Sequence, residues 1–303
     1  MKTIITYLTS WFHTVDKRLL TAVSLFTAIL VLLNYYFHID HEIRKIDSFF
    51  IKLIAWYAVS AAAFLIPYLF WFMANKKAKV PGQTTLLLLV LAPAVFSNKM
   101  ALSFPLKYAT DPAVNRYWEH IVYWPALCFI ILASLYIIWK RENGNQPLFG
   151  FKTKGIDWKP YGIMLLIMAP LIAVAATQPD FKAVYPKLYA VTNGEESLPV
   201  WKVLLFELSY GTDFITIEVF FRGFLVLAFI KWAGKDAILP MACFYCTIHF
   251  GKPVGECISS YFGGLLLGVV VYHTRSVLGG LIVHLGIAWL MELGGYIAHA
   301  WIR

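Results

Sequence analysis

The chain has 303 residues, of which 60% are hydrophobic and only 14% are charged, and its mean hydropathy is +0.67. These values exclude an ordinary soluble globular protein and are typical of an integral membrane protein. The formal net charge of +9 does not indicate a nucleic-acid partner, because basic residues form short clusters at the ends of apolar segments, such as Lys17-Arg18 and Lys140-Arg141. Such clusters are typical of the cytoplasmic loops of membrane proteins.

Apolar segments of about 17 to 25 residues predict membrane-spanning helices. We expect such helices at about 19–37, 51–73, 83–98, 121–139, 161–177, 203–230, 237–250, 257–272 and 277–298. Segment 203–230 is polar in its first half and segment 237–250 is short, so the prediction is an all-α, polytopic transmembrane helical bundle with eight or nine spans. The predicted surroundings are a lipid bilayer, and we expect a bacterial cytoplasmic (inner) membrane.

A polar stretch at 140–159 separates a front half of clean spans from a back half that is rich in polar residues and glycine. It predicts two regions, the N-terminal transmembrane helices 1–159 and a functional core 160–303. The other long connector, 178–202, is predicted to be a solvated loop or a cover over the site.

Small residues recur in the last two predicted spans. Gly264 and Gly268 are four residues apart, and Gly263 precedes them directly. Such small-xxx-small spacing lets transmembrane helices approach closely, so we expect close helix packing here.

Four ionisable side chains lie inside apolar segments of the back half: Glu218, Arg222, His249 and His284. A charge at bilayer depth costs on the order of several kcal/mol unless it is paired or hydrated, so such residues indicate a functional site. Glu218 and Arg222 are four residues apart and would share one face of a helix, either as a structural ion pair or as part of a site.

A carboxylate and two imidazoles allow two kinds of chemistry. They can polarise a water molecule and stabilise an oxyanion during peptide hydrolysis. Alternatively, Glu218, His249 and His284 can hold a zinc ion with an open fourth position. No His-Glu-x-x-His pair is present to favour zinc, and both alternatives stay open.

These residues, in this order, resemble the motifs of the CPBP family of intramembrane proteases, which includes the CAAX prenyl endopeptidases and many bacterial Abi-type proteins. The family pattern is Glu-Glu-x-x-x-Arg, then Phe-x-x-x-His, then His-x-x-x-Asn. Glu218 matches the second glutamate, Arg222 the arginine, and His249 and His284 the two histidines. The resemblance covers about residues 160–300 and implies a helical intramembrane protease.

Three positions depart from that pattern: Ile217 replaces the first glutamate, Tyr245 the phenylalanine and Ala288 the asparagine. In the family, the first glutamate and the second-motif histidine are considered to activate water, and the third-motif histidine and asparagine to stabilise the oxyanion. Glu256 and Glu292 are the remaining acidic candidates, and we expect them to support the site without touching the reacting atoms.

The simplest hypothesis has Glu218 and His249 activating water, Arg222 fixing Glu218, and His284 donating to the oxyanion. The predicted function is an intramembrane endopeptidase that cleaves a membrane-embedded or lipidated peptide. The alternative is a non-catalytic relative that binds a lipid or peptide in an immunity or scaffold role. A coupled transporter is a third class, which inverted repeats would indicate.

Overall fold

The structure is a computed structural model that describes residues 2–75, 78–105, 107, 109–141, 148–153, 155–192 and 198–301. These ranges contain helices and no strand, which confirms the all-α prediction. The α-helices are α1 Lys2–Thr14, α2 Lys17–Phe37, α3 Ile39–Arg44, α4 Phe49–Ala74, α5 Gln83–Ala101, α6 Pro112–Arg141, α7 Lys159–Ala175, α8 Pro179–Lys182, α9 Lys187–Thr192, α10 Val200–Ile217, α11 Ile230–Ala233, α12 Ile238–Thr247, α13 Val254–Thr274 and α14 Leu278–Trp301. A π-helix, Glu218–Val226, continues α10, and short 3₁₀ turns lie at Leu148–Gly150 and Gly234–Ala237.

Six of these helices are long and apolar enough to cross a membrane: α2, α4, α5, α6, α13 and α14. The chain is therefore an integral membrane protein. Two further predicted spans coincide with shorter helices, since α7 has 17 residues and α12 has 10. The count of eight or nine spans stays a prediction.

The start and end of α2 show how local sequence sets a helix. Asp16 precedes the helix, and its Oδ1 accepts hydrogen bonds from the backbone N–H groups of Arg18 and Leu19 at 2.8 and 3.3 Å. These donors have no partner inside the helix, so the carboxylate stabilises the first turn. The helix ends at Phe37, and the next residue, His38, has a φ of 52° in the left-handed region.

The described chain forms two compact units, which are considered separately. The first unit contains residues 103–219 and 277–303, and the second contains residues 2–102 and 220–276. Part of the predicted boundary stretch, residues 142–147 and 154, lies outside the described residues. The division into 1–159 and 160–303 stays a prediction.

The core of the first unit is an aromatic cluster between α6, α10 and α14. Its buried members include Tyr117, Trp124, Phe206, Tyr210, Phe214 and Ala288. Ser209 of α10 also donates to the backbone carbonyls of His120 and Ile121 on α6, at 3.1 and 3.0 Å. Polar contacts of this kind join transmembrane helices where apolar burial gives little driving force.

The core of the second unit is α12, all ten of whose residues are buried. Phe244 lies at its centre and contacts the rings of Phe64 on α4, Phe96 on α5, and Phe220 and Phe221. A helix that is apolar on all sides has to be surrounded in this way. The residues that follow α12 are therefore anchored to a rigid element.

Glycines make the close helix contacts that the sequence predicted. A Cβ at Gly264 would lie 3.1 Å from the Tyr245 ring, and one at Gly268 would lie 2.6 Å from Met241 Cε, both on α12. In the first unit, a Cβ at Gly279 of α14 would overlap the Tyr161 ring of α7. By contrast, in the described part of the chain no atom other than those of the adjoining residues and of the helix's own backbone lies within 4 Å of a Cβ at Gly263.

The connector 178–202 differs from the predicted solvated loop in its described part. It contains α8 and α9, and Phe181 and Tyr185 are buried against α14 residue Ala298. Leu188 is buried in the aromatic cluster of the first unit. The connector has enough apolar side chains to be buried. Its prolines and the acidic pair Glu195-Glu196 favoured the prediction of a solvated loop. That acidic pair lies outside the described residues.

Two adjacent glycines of α14 give a matched test of this packing. A Cβ at Gly295 would lie 2.5 Å from backbone atoms of both Tyr185 and Pro186, whereas a Cβ at Gly294 would have no neighbour closer than 3.5 Å. We expect Gly295→Ala to destabilise the protein by about 1–3 kcal/mol through overpacking. Gly294→Ala should be neutral or stabilising by up to about 1 kcal/mol, because alanine favours a helix.

Thermal unfolding in detergent measures this difference. A thiol-reactive dye can report unfolding, because the side chains of Cys128, Cys243, Cys246 and Cys257 are buried. We expect a lower Tm for Gly295→Ala and an unchanged or higher Tm for Gly294→Ala. Equal Tm values for the two variants would contradict the close contact.

Candidate active site

Glu218 and His284 form a direct hydrogen bond in the first unit. His284 Nδ1 lies 2.8 Å from Glu218 Oε1, and Glu218 is fully buried while the His284 side chain is 13% exposed. A buried carboxylate is costly unless it is hydrogen-bonded or paired. The imidazole is therefore the partner that allows this carboxyl group to stay inside the fold.

The His284 ring is also fixed by an aromatic neighbour. Phe214 of α10 packs edge-on against it, with ring centroids 4.8 Å apart and planes at 81°. Phe214 of α10 lies four residues before Glu218, the first residue of the π-helix, so one continuous stretch of helix contributes both of these contacts to His284. The other ring nitrogen, Nε2, is not part of this hydrogen bond.

Glu218 begins the π-helix, in which the backbone turns are wider than in an α-helix. Sequence reasoning assumed an ordinary α-helix through Glu218 and Arg222, and this assumption was wrong. π-Helical turns are rare and occur frequently at functional sites. The ion pair between Glu218 and Arg222 was inferred from α-helical spacing, and it stays a prediction.

Arg222 lies in the second unit on the face of Tyr245. The guanidinium carbon is 3.9 Å from the centroid of the Tyr245 ring, and Arg222 is fully buried. A cation on an aromatic face is stabilised by about 2 kcal/mol or more when both groups are desolvated. Tyr245 of α12 is therefore the platform for this buried charge.

Tyr245 also orients His249, which follows α12. His249 Nδ1 lies 3.1 Å from the Tyr245 carbonyl oxygen, and the two rings are 4.8 Å apart. A carbonyl oxygen can only accept, so Nδ1 carries the proton in this hydrogen bond. In the neutral imidazole, Nε2 then holds the lone pair and can accept a proton.

The two further acidic candidates each contact another residue. Glu256, in the first turn of α13, lies 3.3 Å from Lys252 Nζ. Glu292 of α14 is buried, and its Oε2 accepts a hydrogen bond from the backbone N–H of Lys187 at 2.9 Å. Their supporting role stays a prediction.

Two of the three positions that depart from the family pattern, 217 and 288, hold buried apolar residues. Ile217 is buried, and Ala288 is buried in the aromatic cluster with Phe206, Tyr210 and Phe214. The side chain at 288 lies among rings, so alanine suits its surroundings. The fold therefore accommodates both replacements through apolar burial.

Metal binding by these side chains has little support in the geometry. Within the described ranges, no group of three or more His, Cys, Asp or Glu side chains is placed to hold a metal ion. The zinc alternative at Glu218, His249 and His284 depends only on their chemical types, and it stays a prediction.

The structure brings the predicted residues into two local clusters, Glu218 with His284 and Arg222 with His249 through Tyr245. Sequence reasoning missed the roles of Phe214 and Tyr245 as contacts of these side chains. Both are aromatic residues four positions before a polar one, Glu218 or His249. This spacing was the available signal, because residues four apart are neighbours on a helix.

Comparisons with known proteins agree with the motif. Residues 199–290, a little under a third of the chain, match the family model described as type II CAAX prenyl endopeptidase Rce1-like. Glu218, Arg222, His249 and His284 all lie inside the matched segment. The match supports the assignment of the chain to the CPBP/CAAX protease family.

A curated relative is YyaK of Bacillus subtilis (strain 168), described as an uncharacterized protein. It is 22% identical over 188 residues, which are 61% of this chain and 61% of that protein. The chain thus spans about three fifths of the length of the relative that it matches. No solved structure matches the chain.

The dual contact of Tyr245 predicts different effects for two substitutions. Tyr245→Ala removes the platform of a buried Arg222 and should lower the free energy of unfolding by about 3–5 kcal/mol, as for other buried aromatic residues. Tyr245→Phe keeps the ring and the backbone carbonyl and should change it by less than about 1.5 kcal/mol. Thermal unfolding in detergent measures both variants, and a large loss for Tyr245→Phe would show that the hydroxyl, rather than the ring, is required.

Proposed function

We propose that this member of the CPBP family of CAAX-type proteases is an intramembrane endopeptidase. Its substrate is a membrane-embedded or lipidated peptide, cut near its C-terminus or within its membrane segment. The observation that carries the proposal is the 2.8 Å hydrogen bond between the fully buried Glu218 and His284. The family match over residues 199–290 supports it.

The first role follows from the Glu218–His284 pair. In the proposed role, Nδ1–H of His284 donates to Glu218 Oε1 and Nε2–H donates to the oxyanion, so His284 acts with a proton on both ring nitrogens. Glu218 Oε1 is engaged by His284, so we assign to Glu218 the orientation of His284 rather than the activation of water.

The second role follows from the hydrogen bond between His249 and the Tyr245 carbonyl. This bond places the proton on Nδ1 and the lone pair on Nε2, which makes His249 the general base. That both histidines act in one reaction is inferred from the order of the motifs, all of which lie within the matched segment 199–290. Arg222 keeps its predicted role of fixing Glu218.

The proposed reaction balances as an ordinary peptide hydrolysis. Water gives a proton to His249 Nε2 while its oxygen bonds to the carbonyl carbon of the scissile peptide. The resulting oxyanion accepts a hydrogen bond from His284 Nε2–H. The C–N bond then breaks, and the leaving amine takes the proton from His249.

We place the protein in a bacterial cytoplasmic membrane. The six membrane-crossing helices and the relative from Bacillus subtilis support this location. A substrate confined to the same bilayer meets the enzyme without diffusing through solution, so a modest catalytic rate is sufficient.

A second candidate function is ligand binding without catalysis. The buried, apolar Ile217 and Ala288 favour it, because they remove a carboxylate and an amide that the family resemblance implies for water activation and oxyanion binding. In that case the polar residues would hold a lipid or peptide. Cleavage by the purified protein distinguishes the two functions.

The proposal predicts cleavage of at least some members of a panel of tagged membrane and lipidated peptides. His249→Gln should lower kcat/KM by about 100-fold or more, as expected for loss of a general base. His284→Gln should lower it by about 100- to 1000-fold, as expected for loss of an oxyanion donor. The measurement is product formation in detergent or vesicles.

His299→Gln is the matched control on α14. His299 Nε2 contacts the backbone carbonyl of Lys182 at 3.1 Å and is not assigned a role in the reaction, so its cleavage rate should stay within about twofold of wild type. A chelator should have no effect, and inhibition by it would favour the zinc alternative. A folded wild-type protein that cleaves no peptide would contradict the proposal and favour ligand binding.

A further inference from the structure

The backbone turn that carries His249 is held by a helix outside the matched segment. Residues 248–253 connect α12 to α13, and two of their carbonyl oxygens accept hydrogen bonds from α2. Asn34 Nδ2 donates to Phe250 O at 3.0 Å, and Tyr35 Oη donates to Lys252 O at 2.6 Å. Carbonyls beyond a helix end lack helical partners, so α2 provides partners for them.

Asn34 is fully engaged by this contact. It is only 2% exposed, and its Oδ1 accepts a hydrogen bond from the backbone N–H of Asp40 at 3.0 Å. A buried amide in a membrane helix is costly unless both of its ends are hydrogen-bonded. Asn34 therefore ties the turn after α12 to the start of α3.

Asp40 of α3 also packs against the turn after α12. A Cβ at Gly251 would lie 2.7 Å from Asp40 Oδ2, so only glycine fits against the carboxylate there. Arg44 holds that carboxylate through two hydrogen bonds, Nε to Oδ2 at 2.8 Å and Nη2 to Oδ1 at 2.9 Å. The turn is thus in contact with α2 and α3 at three successive residues, 250–252.

These contacts of residues 250–252 also constrain His249, which directly precedes them. Its imidazole is oriented by the Tyr245 carbonyl, and its own carbonyl oxygen accepts from the Lys252 N–H at 3.0 Å. The position of Lys252 is in turn set by Tyr35. Movement of the turn away from α2 would therefore move the His249 backbone and imidazole together.

We propose that Asn34 and Tyr35 are positioning residues for His249, acting through the backbone of residues 250–252. This inference rests on the proposed function, in which His249 is the general base. Both residues lie outside the matched segment 199–290, so the family match assigns them no role. The front half of the chain then contributes to catalysis by fixing a proton acceptor rather than by touching substrate.

The first test is the steady-state kinetics of peptide cleavage by the full-length protein. Asn34→Leu, which keeps the branched shape and the number of heavy atoms of the side chain, should lower kcat about tenfold or more while KM stays within about twofold, because a misplaced base affects the chemical step rather than binding. Tyr35→Phe, which removes only the hydroxyl, should lower kcat about threefold to tenfold. Substrate binding should be unaffected in both.

Ser24→Ala is the matched control. Ser24 lies on the same helix, and its hydroxyl is 2.9 Å from Tyr261 Oη on α13, so the variant removes an α2–α13 hydrogen bond away from the turn. Its kcat should stay within twofold of wild type. Equal kcat losses in Ser24→Ala and Asn34→Leu, or an unchanged kcat in both Asn34→Leu and Tyr35→Phe, would overturn the positioning role.

Backbone amide hydrogen exchange provides a measurement that is independent of activity. Asn34→Leu and Tyr35→Phe should increase exchange in peptides covering residues 248–253 and leave those covering residues 278–290 unchanged. Unchanged exchange at 248–253 in both variants would refute the inference even if wild type cleaves. If wild type cleaves nothing, the proposed function fails, and the positioning of a catalytic base by Asn34 and Tyr35 fails with it; increased exchange would then show only a structural contact.

Discussion

Glu218 is a carboxylate with no exposed surface, located where α10 passes into the π-helix. The cost of burying such a group is met inside the first unit by a hydrogen bond with His284 of α14. Removing one partner of a buried charge pair typically costs about 3–5 kcal/mol, so each residue constrains the other. The packing of α14 then has to hold His284 within hydrogen-bond distance of Glu218.

The glycines of α14 contribute to that placement. Gly279 and Gly286 allow the Tyr161 and Leu165 side chains of α7 to approach the helix axis, and Gly295 allows the backbone of residues 185–186 to do so. Phe214 completes the contact by packing against the imidazole ring. The glycines of α14, the Phe214 ring and the hydrogen bond with Glu218 together fix the orientation of His284.

The second unit fixes its histidine by different means. Tyr245 supports the buried Arg222 through its ring and orients His249 through its carbonyl. The residue at this position needs an aromatic face and a helical backbone, which phenylalanine and tyrosine both provide. The replacement of the family phenylalanine is thus compatible with both contacts, whereas Ile217 and Ala288 replace polar groups with apolar ones.

Sequence patterns predicted the helical class, the membrane location and the polar residues in apolar segments, because hydropathy and isolated charges are local properties. They also predicted close packing at Gly264 and Gly268. They did not predict the π-helix, because nine residues are too few for the sequence to show the longer repeat of a π-helical turn. Nor did they predict the contacts of Asn34 or Phe214, which depend on tertiary neighbours.

In the proposed mechanism, Glu218 and His284 act as one catalytic unit. A double-mutant cycle on kcat/KM of peptide cleavage, with Glu218→Gln and His284→Gln made singly and together, tests this coupling. We expect the double variant to lose no more than about threefold beyond the worse single variant, because either change disables the same unit. Losses that multiply would show that the two residues act independently and would refute the coupling.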